Sequence, residues 1–377
     1  MRVPRASFSA ARWLVCTLAT LSVFSLRVPA QTNGDIGNEY TITTLEVPKG
    51  ASFSTGDGKL WFLRKDELLR LDADQNRLIP VPIGDIKARS WIVSGGSLWI
   101  FGKSEKSWAI RRIDPQTGKL LDTIGLEDNR DQQFLYAYGS IWVWTDFMLA
   151  KNKPVLRIDP ETKRVIEVSN SFKGQLLASD GKIWMLGVED GNIKCLDPQS
   201  DKVVDEFSVG REHDNGILKG RFKGGHYSYG IGEGALWVLD AQETYGILTN
   251  AAVEGPRVKG VLSGYDLKTH ERIAKIENDA ALWLPATWKG YVWLSTRGDD
   301  RSGHYISRID PKLQHTVGRL FIPISSKAPR YAEFLPPMLV SSEDSLWAVS
   351  GNWFSKNPTL LLRRIQAKDL DNANGEK

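Results

Sequence analysis

One short phrase occurs seven times along the chain: Gly58-Lys59-Leu60-Trp61, Gly96-Ser97-Leu98-Trp99, Gly139-Ser140-Ile141-Trp142, Gly181-Lys182-Ile183-Trp184, Gly234-Ala235-Leu236-Trp237, Gly290-Tyr291-Val292-Trp293 and Asp344-Ser345-Leu346-Trp347. After most copies a second phrase follows and ends in an acidic turn: Arg70-Leu71-Asp72, Arg112-Ile113-Asp114-Pro115, Arg157-Ile158-Asp159-Pro160, Cys195-Leu196-Asp197-Pro198, Gly264-Tyr265-Asp266 and Arg308-Ile309-Asp310-Pro311. The seventh copy has Arg364-Ile365-Gln366 instead. Apolar and polar residues alternate through both phrases with the period of two that belongs to strands, and no long segment has the 3.6-residue period of a helix.

Each repeat reads as four short strands. An apolar stretch such as Phe134 to Tyr138 turns at Gly139, the Trp phrase runs back, and the Arg-x-Asp phrase returns. A turn such as Pro115-Gln116-Thr117-Gly118 then leads into an outer strand. Asp followed by Pro suits such a turn, because Pro presets its backbone angle and the carboxylate accepts a bond from a nearby amide. These Asp residues are therefore read as structural and not as metal ligands. Units of about fifty residues built from four strands make a β-propeller. The expected fold is all-β: a seven-bladed β-propeller of four-stranded antiparallel blades. A flat indole repeated at one strand position is a filler between blades.

The seventh repeat lacks an outer strand. Thr41 to Pro48 resembles the outer strands elsewhere, so the N-terminal strand is expected to close blade seven and remove its open edge. The expected domain is 40–367, preceded by a flexible segment 31–39 and followed by a polar tail 368–377.

Residues 1–30 have the layout of a secretory signal. Arg2, Arg5 and Arg12 precede or open an apolar run from Trp13 to Leu26, and Arg27 and Val28-Pro29-Ala30 follow. The chain of 377 residues carries 49 Lys+Arg against 45 Asp+Glu, and four of those bases are the Arg of the signal. Cleavage near Ala30 leaves 45 bases to balance 45 acids, which removes the charge surplus that nucleic-acid and polybasic membrane binding require. The expected product is periplasmic or secreted, a monomer with no transmembrane segment. Cys16 leaves with the signal and Cys195 stands alone, so no internal disulfide is expected.

On its Gly-x-Leu-Trp strands and the Arg112-Ile113-Asp114-Pro115-Gln116-Thr117-Gly118-Lys119 turn, the chain resembles the YVTN, NHL and virginiamycin B lyase-like bacterial propellers. The resemblance covers nearly the whole chain beyond the signal and implies the seven-bladed ring. The lyase branch carries a Glu-x-His pair that binds magnesium and removes a proton from a cyclic peptide lactone. None of the five His of this chain has Glu two residues before it. The resemblance therefore implies a ring, and an enzyme is the less favoured reading.

Propeller connectivity puts the loops between strands two and three, and those between blades, on one face. The Trp-to-Trp spacing grows from 38, 43 and 42 residues to 53, 56 and 54. The added residues fall in blades four to seven, on the face where insertions of repeat proteins collect. There, His213, Asp214, Arg221, His226, Tyr229, Glu243, Tyr245 and Trp353 are the candidate ligand-binding residues. The expected function is a binding or scaffold module that holds a protein or small ligand on this top face. The alternative is a metal-dependent lyase or hydrolase in which His213 and His226, with a nearby acid, hold a divalent ion close to the central channel. No catalytic residue is assigned and no cofactor is predicted, the divalent metal being the one possibility. Asp299-Asp300-Arg301 with His304 is read as a solvated turn, and neither a nucleotide-binding glycine loop nor a Gly-x-Ser-x-Gly elbow is present.

Overall fold

The computed structural model describes residues 35–64, 67–72, 75, 77–83, 88–104, 107–126, 132–145, 153–172, 174–187, 191–209, 226–241, 259–279, 285–297, 303–323, 337–342, 344–351 and 360–368. Its regular structure begins with the hairpins that the Gly residues permit. Both central residues of these turns lie in the left-handed region: Asp57 and Gly58 (φ 48° and 70°), Tyr138 and Gly139 (52° and 73°), Glu233 and Gly234 (56° and 72°). Two consecutive left-handed residues give the hairpin whose twist matches that of the flanking strands. The Gly of the repeated phrase thus fixes where strand one meets strand two.

Blade one holds β2 (Ser52–Gly56), β3 (Lys59–Arg64), β4 (Glu67–Asp72) and β5 (Arg77–Pro82); blade two holds β6 (Ala88–Ser94), β7 (Ser97–Ser104), β8 (Ser107–Ile113) and β9 (Leu120–Leu126). Blade three holds β10 (Gln132–Ala137), β11 (Ser140–Thr145), β12 (Lys153–Ile158) and β13 (Val165–Phe172); blade four holds β14 (Gly174–Ser179), β15 (Lys182–Gly187), β16 (Asn192–Asp197) and β17 (Lys202–Ser208). Blade five holds β18 (His226–Gly232), β19 (Ala235–Ala241), β20 (Lys259–Asp266) and β21 (Arg272–Asp279). Blade six holds β22 (Ala286–Trp288), β23 (Tyr291–Arg297), β24 (Gly303–Asp310) and β25 (His315–Pro323). Blade seven combines β26 (Met338–Ser341), β27 (Leu346–Gly351) and β28 (Leu360–Ala367) with β1 (Tyr40–Val47) in the order β26-β27-β28-β1. Each sheet is antiparallel, and the first strands of neighbouring blades lie against one another around the axis. No helix among the described residues is long and apolar enough to cross a membrane.

The repeated Trp lie in register with the Arg phrase. Trp61 faces Arg70 across the strands, Trp99 faces Arg112, Trp142 faces Arg157, Trp293 faces Arg308 and Trp347 faces Arg364. In blades four and five the partners are Cys195 and Gly264. The indoles are at most 3% exposed, and each packs among apolar side chains at a junction between blades. Burial would strand an indole N–H, which costs more than the net worth of a hydrogen bond. The position solves this: Trp61, Trp99, Trp142, Trp237 and Trp293 donate to the carbonyl five residues earlier, at 3.1–3.2 Å, and Trp347 donates to the Ser342 hydroxyl at 3.0 Å. Trp184 Nε1 alone of the seven is buried with no hydrogen-bond partner among the described residues.

The Asp turns cap themselves. Asp114 Oδ1 accepts from the Gln116 and Thr117 amides at 2.7 and 3.2 Å, and Asp159 and Asp266 repeat the pattern. The fifth residue of these turns is left-handed: Gly118 at φ 71°, Lys163 at 60°, His270 at 61°. The Gln116 amide holds the Asp114 carboxyl below the usual range, the Thr162 amide does the same for Asp159, the Ser200 hydroxyl for Asp197 and the Thr269 amide for Asp266.

Closure matches the expected N-terminal strand, displaced by one residue. β1 pairs with β28 along its whole length, from Tyr40↔Ala367 to Val47↔Leu360. Within the segment 31–39, expected to be flexible, Asp35–Glu39 is held against blade six. Asp35 forms a parallel bridge with Arg319, and the Ile36 amide donates to the Arg319 carbonyl at 3.1 Å. Ile36 is 4% exposed, and a Cβ at Gly318 would come within 2.4 Å of its methyl group, so the small residue lets the segment dock. Glu39 in turn binds Arg308.

Trp237→Phe should cost about 1 kcal/mol more stability than Trp184→Phe by urea denaturation, because only the first strands a carbonyl that had a donor. Equal losses would show that the indole N–H is not part of the design. The four depressed Asp stabilise the fold fully above their unfolded value of about 4, and that contribution fades as pH falls through their lower folded values. The melting-temperature gap between wild type and the Asp114→Asn/Asp159→Asn/Asp266→Asn variant should be widest at about pH 7 and should close toward about pH 2; a gap independent of pH would contradict this.

Candidate functional site

Antiparallel alternation gives the ring two unlike faces. Strands one and three of each blade begin, and strands two and four end, on the upper face; the Gly hairpins and Asp turns lie on the lower face.

On the lower face the polar groups join one blade to the next. Arg70 donates to Gln116 Oε1 at 2.7 Å, Arg112 to Glu161 Oε1 at 3.1 Å, and Arg157 to the Pro198 carbonyl and to Asp201 at 3.0 Å. In each case the Arg that faces the Trp of one blade reaches the Asp turn of the following blade. Where Cys195 and Gly264 replace that Arg, another pair appears: His270 Nε2 lies 2.7 Å from Asp205 Oδ2, with its ring stacked on Phe207 at 4.3 Å. Nearer the axis, Asp57 accepts from the Gly95 and Gly96 amides at 3.0 and 2.9 Å, and Glu233 from the Gly290 amide at 3.1 Å. Exposed pairs of this kind each contribute at most about 1 kcal/mol. They register the blades. Burial pushes the Cys195 thiol up, away from nucleophilic use.

The strand ends that flank the long connections 210–225, 242–258, 324–336 and 352–359 all belong to the upper face. His213, Asp214, Arg221, Glu243, Tyr245 and Trp353 lie outside the described residues. Two of the eight expected residues lie in β18. His226 opens the strand, paired in register with Ala241. Tyr229 is 1% exposed, packs between blades four and five with Trp184, Leu186 and Val238, and donates its hydroxyl to the Gly187 carbonyl. Its polar atom is therefore committed to the junction. Among the described residues no group of three or more His, Cys, Asp and Glu gathers that could hold a metal ion. Trp144 and Trp288, which stand outside the seven-copy phrase, are also buried between blades.

One polar cluster went unread in the sequence. His304, expected in a solvated turn, is 2% exposed in β24, with Ser295 of β23 on the same face of blade six. Across the junction with blade seven, Arg363 is 5% exposed and donates to Ser350 Oγ at 3.3 Å and to the Pro323 carbonyl at 2.9 Å. The position two residues after each Trp holds Leu63, Phe101, Trp144, Leu186, Leu239, Ser295 and Val349. That lone Ser in an apolar column was the available signal. Its Oγ is buried with no hydrogen-bond partner among the described residues.

No family model matches the chain, and no curated protein matches it. Solved structures do. A chain of the Kuenenia stuttgartiensis hydrazine synthase aligns with a TM-score of 0.52 at 13% identity, over 83% of this chain and 94% of that one. BamB from Moraxella catarrhalis aligns with a TM-score of 0.49 at 13% identity, over 87% and 98%, and the WD40 domain of Toxoplasma gondii coronin with 0.48 at 11%, over 92% and 90%. At these identities the first likeness speaks for the fold alone, and the other two add nothing about function.

Proposed function

We propose that the chain is an exported binding or scaffold module of the YVTN/NHL/virginiamycin B lyase-like group, holding a protein or small ligand on its upper face through the connections of blades four to seven. The observation that carries this reading is the contrast between the two faces. On the lower face the turns are short, repeat from blade to blade, and use their charged groups to bind the neighbouring blade. The residues added to the basic repeat instead connect strand ends of the upper face, as insertions that serve binding do in repeat proteins. His213, Asp214, Arg221, His226, Glu243, Tyr245 and Trp353 supply the cationic, acidic and aromatic side chains from which such a surface selects its ligand. The protein works as a monomer outside the cytoplasm, after cleavage near Ala30.

The test replaces 210–225 and 242–258 with short Gly-Ser turns. The ring should keep its cooperative melt, within a few degrees of wild type, since closure and blade packing lie elsewhere. A photo-crosslinker placed at Tyr245 or Trp353 of the otherwise intact protein should capture one defined partner in the exporting cell, and the shortened variant with the probe at Trp353 should lose it. Capture of the same partner by that variant would refute the reading. Elemental analysis covers the enzymatic alternative: a stoichiometric divalent ion that disappears in His213→Ala/His226→Ala would favour the metal-dependent lyase or hydrolase.

A further inference from the structure

A second surface stands out on the lower rim, away from the upper-face connections. Leu120, Leu121, Val165, Val203 and Val204 are 47–53% exposed, and all five lie in the first three residues of the outer strands of three consecutive blades, two, three and four. They place exposed apolar side chains at the same level of three adjoining blades, a feature that marks a candidate binding surface. The blades adjoin at this level: Lys163 of blade three donates to Asp122 and to the Thr123 carbonyl of blade two at 2.9 and 3.4 Å, and Arg157 of blade three meets Asp201 of blade four at 3.0 Å.

A cation immediately precedes each apolar step: Lys119 before Leu120-Leu121, Arg164 before Val165-Ile166, Lys202 before Val203-Val204. All three are exposed, and none forms an ion pair among the described residues. Three of the nearby acids are engaged elsewhere, while Glu167 of β13 is exposed. Asp122 is tied to Lys163, Asp205 to His270 and Glu206 to Lys194. A propeller protects its outer strand edges with polar residues, and in blades five and six the first of the two equivalent positions is polar, Arg272 before Ile273 and Thr316 before Val317. Blades two to four carry apolar side chains at both positions and a cation immediately before them.

We infer that this rim docks a segment of a partner protein in which carboxylates alternate with apolar residues, its acids meeting Lys119, Arg164 and Lys202 and its apolar side chains covering the Leu and Val steps. Charge complementarity sets the occupant: a second copy would bring the same three cations against themselves. The site stands apart from the upper-face reading and survives if that reading fails.

The test is fluorescence anisotropy of the purified protein with a fluorescein-labelled Glu-Val-Ser-Leu repeat peptide, with a Lys-Val-Ser-Leu peptide as control. The acidic peptide alone should bind, and more weakly as salt rises. Lys119→Glu/Arg164→Glu/Lys202→Glu and Leu121→Ser/Val165→Ser/Val204→Ser should each weaken binding roughly tenfold or more with the melt unchanged. If the Ser variant loses its cooperative melt, Leu121→Gln with Val204→Thr takes its place. Absence of binding, or equal binding by the charge-reversed variant, would overturn the inference. So would a dimer in sedimentation that the Ser variant abolishes, or flotation with phosphatidylglycerol vesicles in place of peptide binding.

Discussion

The fold depends on an indole that must be buried between two sheets while its N–H still finds an acceptor. Placing Trp at the third position of strand two meets both needs, because the carbonyl that ends strand one then lies within about 3.2 Å. That bond requires a tight hairpin between the two strands, which requires left-handed residues at its centre and hence the Gly of the phrase. The residue facing the indole on strand three is free to be long, and in five blades it is an Arg, which leans over the ring in blades two and seven, reaches the next turn from blades one to three, and meets the N-terminal segment from blade six. Arg112 lies 5.2 Å above the Trp99 ring and Arg364 5.5 Å above Trp347. Gly, Trp and Arg thus act as one device in blades one, two, three and six, and the other blades keep its Trp.

Blades so built stack against their neighbours, and the ring must then close. Blade seven lacks an outer strand of its own, and β1 supplies it from the other end of the chain. The preceding residues extend the joint onto blade six, where Ile36 fills the space left by Gly318 and Glu39 meets Arg308, the Arg of that blade's own phrase. Arg308 does for the N-terminal segment what Arg112 does for the Asp turn of blade three. The closing strand is therefore held through the same contact that registers ordinary blades.

Much of this was legible in the sequence because it repeats. Seven Trp at one strand position, six with Gly before and six with an acidic turn after, fix strand count, order and turns without reference to any single residue's surroundings. The candidate site was not legible in the same way, since function in a repeat protein resides where copies differ, and a difference says only that the repeat was broken. Tyr229 illustrates the limit: it precedes the Trp phrase in an inserted region, yet its ring packs at the junction of blades four and five. His304 illustrates the opposite error, since neighbouring acids suggested a solvated turn, and strand pairing with Arg297 buries it. Which face of a strand points into a junction depends on register, and register across an irregular loop cannot be counted from the sequence. The exposed Leu and Val of the outer strands were hidden for a similar reason, because a strand start reads alike whether or not a neighbouring blade covers it.

The account stands or falls on closure by the N-terminal strand. Hydrogen exchange of the intact protein, followed by mass spectrometry, tests it directly. Amides of Tyr40–Val47 should be protected as strongly as those of Leu360–Ala367 and should be lost together with them on mild destabilisation, as parts of one cooperative sheet. Rapid exchange of Tyr40–Val47 while the other outer strands stay protected would contradict the closed ring.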